Sequence, residues 1–158
     1  VLFEPRSRTL LSADALWGWG FGVVFPELWG ERAFEQVGSA LDLIEQLGPA
    51  VVVPGHGAVF TDVDAALARA RSRLAAYVAA PRRHAGHAAK VLLKFKLLEL
   101  QRTGLVELLD WAERTTYFRV VHGRWFAEVP FRAWLEALTA DLVKSGAALR
   151  SGSMIANA

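Results

Sequence analysis

Cysteine is absent from this sequence of 158 residues, and methionine occurs once. The lack of cysteine excludes disulfide bonds, thiolate nucleophiles and every zinc site with a cysteine ligand, so a metal would need histidine, aspartate or glutamate. Long apolar runs are also absent, since none approaches the roughly 20 residues that span a bilayer. No basic segment leads into an apolar core of the kind found in secretory signals. These absences predict a cytoplasmic protein with no membrane partner.

The residues that are present allow a substantial hydrophobic core. Hydrophobic residues make up 53% of the chain, with six tryptophans and nine phenylalanines, and the formal net charge is only +2. The charge is unevenly distributed: residues 1–79 carry six basic and nine acidic side chains, whereas residues 80–158 carry twelve and seven. This asymmetry, with the turn-forming Pro81 and the Arg82-Arg83 pair, predicts two units, 1–80 and 81–158.

Two polar side chains of the first unit directly follow predicted strands. The pattern of apolar residues predicts a hairpin with strands at Val1–Phe3 and Thr9–Ser12. It then predicts a helix over Glu31–Leu47 and a third, buried strand over Ala50–Val53. Asp14 comes just after the second strand, and His56 follows the third within the sequence Pro-Gly-His-Gly. Beyond it, Thr61-Asp62-Val63-Asp64 predicts a capping box that opens a helix running to about Ala79.

An aromatic, glycine-rich segment follows Asp14. It spans Leu16–Gly30, and its composition favours a loop over a regular element. One interpretation is that Trp17, Trp19 and Phe21 wall an apolar substrate pocket beside Asp14. Core packing between sheet and helix is an equal alternative, and an apolar surface that receives a partner is a third.

The segments Thr-Leu-Leu-Ser-Ala-Asp14-Ala-Leu and Val-Val-Val-Pro-Gly-His56-Gly resemble two metal-ligand motifs of the metallo-β-lactamase superfamily. They occur in the family's order, 42 residues apart, with one predicted helix between them. The family more often has glycine before the aspartate, so Ala13 departs from its pattern. The resemblance covers about residues 1–80 and implies an α/β (α+β) fold, the C-terminal half of an αββα sandwich.

The resemblance implies a zinc-dependent hydrolase. Asp14 would be the carboxylate that bridges two zinc ions and His56 a ligand of one ion, which makes both candidate catalytic residues. Gly55 and Gly57 would let the backbone turn close to the metal. Metal-activated hydroxide would attack an ester, thioester, lactone or lactam in a small-molecule substrate. Fold-level resemblance does not choose among these bonds.

The family's His-x-His-x-Asp-His motif has no match in this chain. Two ligands do not complete a dinuclear zinc site, so we expect the chain alone to be inactive. The sequence also opens directly in an apolar run at Val1. We therefore expect the site to be completed by an N-terminal half, attached or supplied in trans, and the exposed half-sandwich to pair with that half or with a homodimer partner.

The second unit resembles a winged helix in outline. Helices are predicted over His84–Arg102, Leu105–Glu113 and Phe131–Lys144, with 117–126 ambiguous and a terminal hairpin over Gly146–Arg150 and Met154–Asn157. The first helix carries a basic stripe formed by Arg82, Arg83, Lys90, Lys94, Lys96 and Arg102. On the third helix Glu136 and Asp141 offset Arg132 and Lys144, which argues against nucleic-acid binding. The rival hypothesis is a non-enzymatic module that binds protein or nucleic acid and keeps relic metal ligands.

Three further histidines have weaker claims to a function. His84 and His87 are three residues apart, so they could share a helix face and bind a metal. We favour the alternative that they are solvated members of a basic face. His122, in the ambiguous segment, is assigned no role.

Overall fold

A computed structural model describes residues 1–158 as a mixed α+β protein with seven helices and two small sheets. The chain divides into two compact units, Val1–Pro81 and Arg82–Ala158. None of the helices combines the length and apolar character that crossing a membrane requires. The prediction of a mixed fold is confirmed at this level.

The first unit is a three-stranded sheet with helices. Its elements are β1 (Leu2–Glu4), β2 (Thr9–Ala13), α1 (Phe25–Leu28), α2 (Ala33–Leu47), β3 (Val51–Pro54) and α3 (Val63–Ala79). The strand order is β1-β2-β3, with β1 antiparallel and β3 parallel to the central β2. Because β2 and β3 are parallel, the chain leaves both at the same edge of the sheet.

The two faces of this sheet differ in burial. Leu10 and Val52, which pair across β2 and β3, are fully buried in a core cluster to which α2 and α3 contribute. The alternate residues lie on the opposite face. There Leu2, Leu11 and Val53 are in register and are 71%, 48% and 36% exposed. One face thus carries the core, and the other is an apolar surface open to solvent.

The second unit combines four helices with a second three-stranded sheet. Its elements are α4 (Pro81–Leu100), β4 (Arg102–Gly104), α5 (Leu105–Arg114), α6 (Thr116–Trp125), α7 (Phe131–Lys144), β5 (Ala148–Ser151) and β6 (Met154–Asn157). The order is β4-β6-β5, and both pairings are antiparallel. The ambiguous segment 117–126 is therefore a helix, with Phe118 and Val121 buried one turn apart.

Two predicted element boundaries are wrong. The helix expected from His84 begins at Pro81, because proline fits the first helical turn, where its missing N–H is not needed. The helix ends before Arg102, which pairs with Ala156 as an edge strand. The capping box is also wrong, since Asp62 precedes α3 but makes no side-chain capping bond.

Candidate active site at the edge of the first sheet

The structure brings Asp14 and His56 together. Asp14 directly follows β2, and His56 lies two residues after β3, so the parallel pairing of the strands places both at one edge of the sheet. Asp14 Oδ1 and His56 Nε2 are 3.6 Å apart, and the side chains are 75% and 65% exposed. An acceptor carboxylate and an imidazole are thus presented side by side to solvent.

The 3.6 Å separation of Asp14 Oδ1 and His56 Nε2 limits the interactions that are open to the two side chains. It is too long for a hydrogen bond between the two side chains. Two ligand atoms that bind one tetrahedral zinc ion at about 2.0–2.1 Å lie roughly 3.3–3.4 Å apart. The observed separation is close to that value, so the two donors fit neighbouring positions on one metal ion.

The backbone beneath the pair is tightly packed. Gly55 N donates a hydrogen bond of 2.8 Å to Ala13 O, where the β2–β3 register shifts. A Cβ on Gly55 would lie 2.9 Å from Asp14 Oδ1 and 3.0 Å from Ala13 C. Ala13 has φ of 48°, in the left-handed region that favours glycine. Gly55 is therefore needed for space, and Ala13 occupies a position where glycine would be unstrained.

Two tryptophans of the aromatic segment border His56. The Trp17 and His56 ring centroids are 4.9 Å apart with the planes at 77°, an edge-to-face contact. Trp19 covers Gly57, where a Cβ would meet its ring at 2.5 Å and where φ is 92°. The two indoles are 5.9 Å apart and form an apolar wall beside the histidine. Gly57 is thus required both for its backbone conformation and for the approach of Trp19.

Phe21 is placed differently. It is only 3% exposed, belongs to the core cluster and packs edge-to-face on Tyr77 of α3. The structure does not bring it to the surface beside Asp14, so the core-packing interpretation applies to Phe21. Trp17 and Trp19 flank the polar pair, whereas Phe21 packs the core.

Two arginines of α3 reach this loop and were not predicted from the sequence. Arg69 Nε donates to Gly18 O at 2.9 Å, and Arg73 Nη1 donates to Phe21 O at 2.5 Å. The only local signal was their spacing of four residues, which places them on one helix face. Exposed arginines at this spacing are common, so the signal did not identify the partner.

The chain does not bring three or more potential metal ligands together. No group of three or more histidine, aspartate or glutamate side chains is arranged to hold a metal ion. Asp14 and His56 have the chemistry of zinc ligands, one oxygen and one nitrogen donor on strand ends. They fit part of a zinc site, which generally takes at least three protein ligands.

The other histidines lie elsewhere. The expectation that His84 is solvated is wrong, because it is buried at 1% exposure, whereas His87 is exposed. His122 Nε2 lies 2.7 Å from Val129 O, and its ring packs near Phe131 and Trp134. The His122 side chain thus packs within the second unit.

Most of the basic stripe on α4 is engaged within the second unit. Arg82 pairs with Glu128, and Lys90 pairs with Asp141. Lys94 Nζ donates to Ala147 O at 2.6 Å, and Lys96 pairs with Glu99 and lies over the Trp111 ring. Four basic side chains of the stripe therefore have a partner within the second unit.

Comparison with known proteins found no protein-family model and no curated sequence that matches this chain.

Proposed function

We propose that this chain contributes Asp14 and His56 as ligands to the metal centre of a zinc-dependent hydrolase, as the resemblance to the metallo-β-lactamase superfamily implies. The supporting observation is the 3.6 Å separation of Asp14 Oδ1 and His56 Nε2 at the ends of two adjacent parallel strands. Two residues 42 positions apart in the sequence meet with donor atoms spaced for one metal ion.

Each side chain has a distinct role in this proposal. The Asp14 carboxylate has two oxygens, so it is suited to bridging two ions, whereas the neutral imidazole of His56 donates one lone pair to one ion. Zinc held by these two residues and by ligands from elsewhere would supply the Lewis acidity that hydrolysis at neutral pH requires. The chain's own residues hold the ligand atoms, while the strand ends and the Gly55 hydrogen bond fix the backbone behind them.

The remaining ligands would come from residues outside these 158, carried by an attached segment or by another chain. The small-molecule substrate would present its apolar part to Trp17 and Trp19, which lie beside His56 and Gly57. An acyl substrate of the ester, thioester, lactone or lactam type fits that wall better than a highly charged one.

Zinc titration of the chain, followed by the NMR signals of the histidine rings, tests the ligand assignment. We expect the His56 signals to respond first, and His56→Ala and Asp14→Asn to weaken zinc binding, since each removes one of two donors. His87→Ala is the matched control, because His87 is exposed in the other unit. Zinc binding that is unchanged in both His56→Ala and Asp14→Asn would overturn the proposal.

The coding sequence on the 5′ side of the Val1 codon provides an independent test. An in-frame His-x-His-x-Asp-His motif there would supply the missing donors and support a dinuclear centre. A protein that starts without such a motif would require the donors to come from another chain, and a search for activity would then need that partner.

The second candidate is a non-enzymatic binding module. The order of helices, edge strand and terminal hairpin in the second unit favours a winged-helix-like fold. Arg83 and Arg102 of the basic region are exposed, although the cations described above have internal partners. Binding to a DNA or RNA duplex should fall steeply with salt if phosphates are contacted. Salt-insensitive binding would instead favour a protein partner.

A further inference from the structure

Arg69 and Arg73 of α3 hold the aromatic segment at two points. The two residues are one helical turn apart, and their guanidinium groups donate to Gly18 O at 2.9 Å and Phe21 O at 2.5 Å. Both bonds join residues more than 50 positions apart in the sequence. A charged donor makes such bonds stronger than neutral ones. The helix therefore clamps the loop through its main chain, independently of the loop's side chains.

The clamped stretch is a tight turn that carries both tryptophans. Trp17 N donates to Gly20 O at 2.5 Å, and Gly20 N donates back to Trp17 O at 3.0 Å. Gly20 has φ of 122°, and a Cβ there would lie 3.4 Å from Arg73 Nε. The guanidinium thus packs directly against the turn, so losing Arg73 loosens the turn from Trp17 to Gly20, while the Phe21 side chain stays in the core.

Trp17 connects this clamp with the polar pair. It projects from the turn to the edge-to-face contact with His56, and Trp19 from the same turn covers Gly57. The imidazole is 65% exposed, so its orientation depends on few neighbours. A displaced turn would remove the aromatic wall that limits rotation of the ring.

We propose that Arg69 and Arg73 are positioning residues of the Asp14–His56 site, acting through the Trp17 turn on the orientation of His56. The inference rests on the proposed function where it treats His56 as a ligand. The arginines contact neither a metal nor a substrate in this scheme. Their effect is to preorganise a ligand that the strand ends alone leave mobile.

The chain without metal provides the first test. In Arg69→Gln/Arg73→Gln, the His56 ring signals should shift toward those of an unstructured peptide, because the ring current of Trp17 is lost. Arg71→Gln is the matched control on the same helix: its ion pairs, each 2.8 Å, are with Asp42 and Glu45 on α2 rather than with the loop. Unchanged His56 signals in a folded double variant would overturn the proposal.

Titration with zinc alone provides the second test. The double variant should bind zinc about threefold to tenfold more weakly, less than the roughly 10–100-fold cost of losing a hydrogen-bonded second-layer partner. Arg71→Gln should leave zinc affinity unchanged although it loses two ion pairs. If zinc does not perturb His56 in the unsubstituted chain, the assignment of His56 as a zinc ligand of this chain fails, while the metal-free spectra still decide the positioning role.

The single variants Arg69→Lys and Arg73→Lys cover the case in which the double variant does not fold. Lysine keeps the charge and one donor group but loses the planar guanidinium that packs on Gly20. Arg73→Lys should therefore shift the His56 signals, and Arg69→Lys should shift them less. Identical spectra for both lysine variants and the unsubstituted chain would also overturn the proposal.

Discussion

Ala13 is the strained residue beside Asp14. Its φ of 48° costs an L-residue about 1–2 kcal/mol, whereas glycine adopts this conformation freely. Glycine also gives the unfolded chain more entropy, about 0.5–1 kcal/mol, which offsets part of the gain. The position explains why a glycine is favoured before the aspartate in a turn of this geometry.

We predict that Ala13→Gly stabilises the chain by about 0.5–1 kcal/mol, the balance of these two effects. Urea unfolding measures the change. Ala15→Gly is the control, since Ala15 has no positive φ and should lose stability, both from the entropy term and from its methyl contact with the core cluster. A destabilised Ala13→Gly would contradict the assignment of strain to this residue.

Gly55 provides space rather than backbone freedom. Its φ is not positive, yet an added Cβ would meet the Asp14 carboxylate and the Ala13 backbone at about 3 Å. We predict that Gly55→Ala costs about 1–3 kcal/mol, the range for overpacking, and separates Asp14 from His56. The matched control is Gly123→Ala in α6, where nothing lies within 4 Å of the new Cβ. Unfolding curves and His56 NMR signals would show the difference, and a neutral Gly55→Ala would refute the close approach.

At the scale of elements, the hairpin between β1 and β2 is closed by Glu4. Its carboxylate accepts bonds from Ser7 Oγ at 2.5 Å, Ser7 N at 2.6 Å and Arg6 N at 3.0 Å. The Ser7 hydroxyl bond, followed by the two backbone bonds, lowers the pKa of Glu4. The folded state therefore holds Glu4 ionised at pH values where the unfolded chain begins to bind the proton.

Because the pKa of Glu4 is lower in the folded state, its ionised form adds to the free energy of unfolding at neutral pH. This contribution begins to fall below about pH 4, where the unfolded chain binds the proton, and is lost once the pH passes below the lowered pKa of folded Glu4. The stability difference between the unsubstituted chain and Glu4→Gln should accordingly be largest at pH 7 and shrink in acid. Ser7→Ala should flatten the pH dependence, because it removes the main cause of the shift. A difference that is constant from pH 7 to pH 2 would exclude the effect.

Elements built from local patterns were predicted well from the sequence. The hairpin strands, α2, β3 and α7 have clear apolar periods and sharp ends, such as Gly48, the left-handed residue after α2. The strand β4 was missed because it is only three residues long and depends on pairing with β6, more than 50 positions later. Strand pairing at that distance leaves no local signal.

At the scale of the whole molecule, the exposed row formed by Leu2, Leu11 and Val53 predicts self-association of the isolated chain. These residues form an apolar band across one sheet face. Such bands promote contact with a partner surface. We expect sedimentation velocity to show association that rises with concentration, and Leu11→Lys to suppress it. The control is Leu149→Lys, which alters an exposed leucine in the other unit. A chain that stays monomeric at all concentrations would contradict this prediction.

The candidate site was predictable only in part. Asp14 and His56 were selected from the sequence because each follows an apolar strand within a recognisable motif, and the structure shows only that their side chains are close. Their separation depends on the parallel pairing of β2 with β3, and the roles of Arg69 and Arg73 depend on a loop that packs against α3. These are tertiary contacts, so they cannot be predicted from composition and periodicity.

The parallel pairing of β2 with β3 also has a consequence for folding kinetics. Closing a segment of about 40 residues costs chain entropy before any strand contact compensates for it, so non-local pairing of this kind is slow. Asp14 and His56 meet only after that closure. The bond from Gly55 N to Ala13 O therefore marks a late step, and the hydrogen-exchange rate of the Gly55 amide reports how often the native chain opens the site.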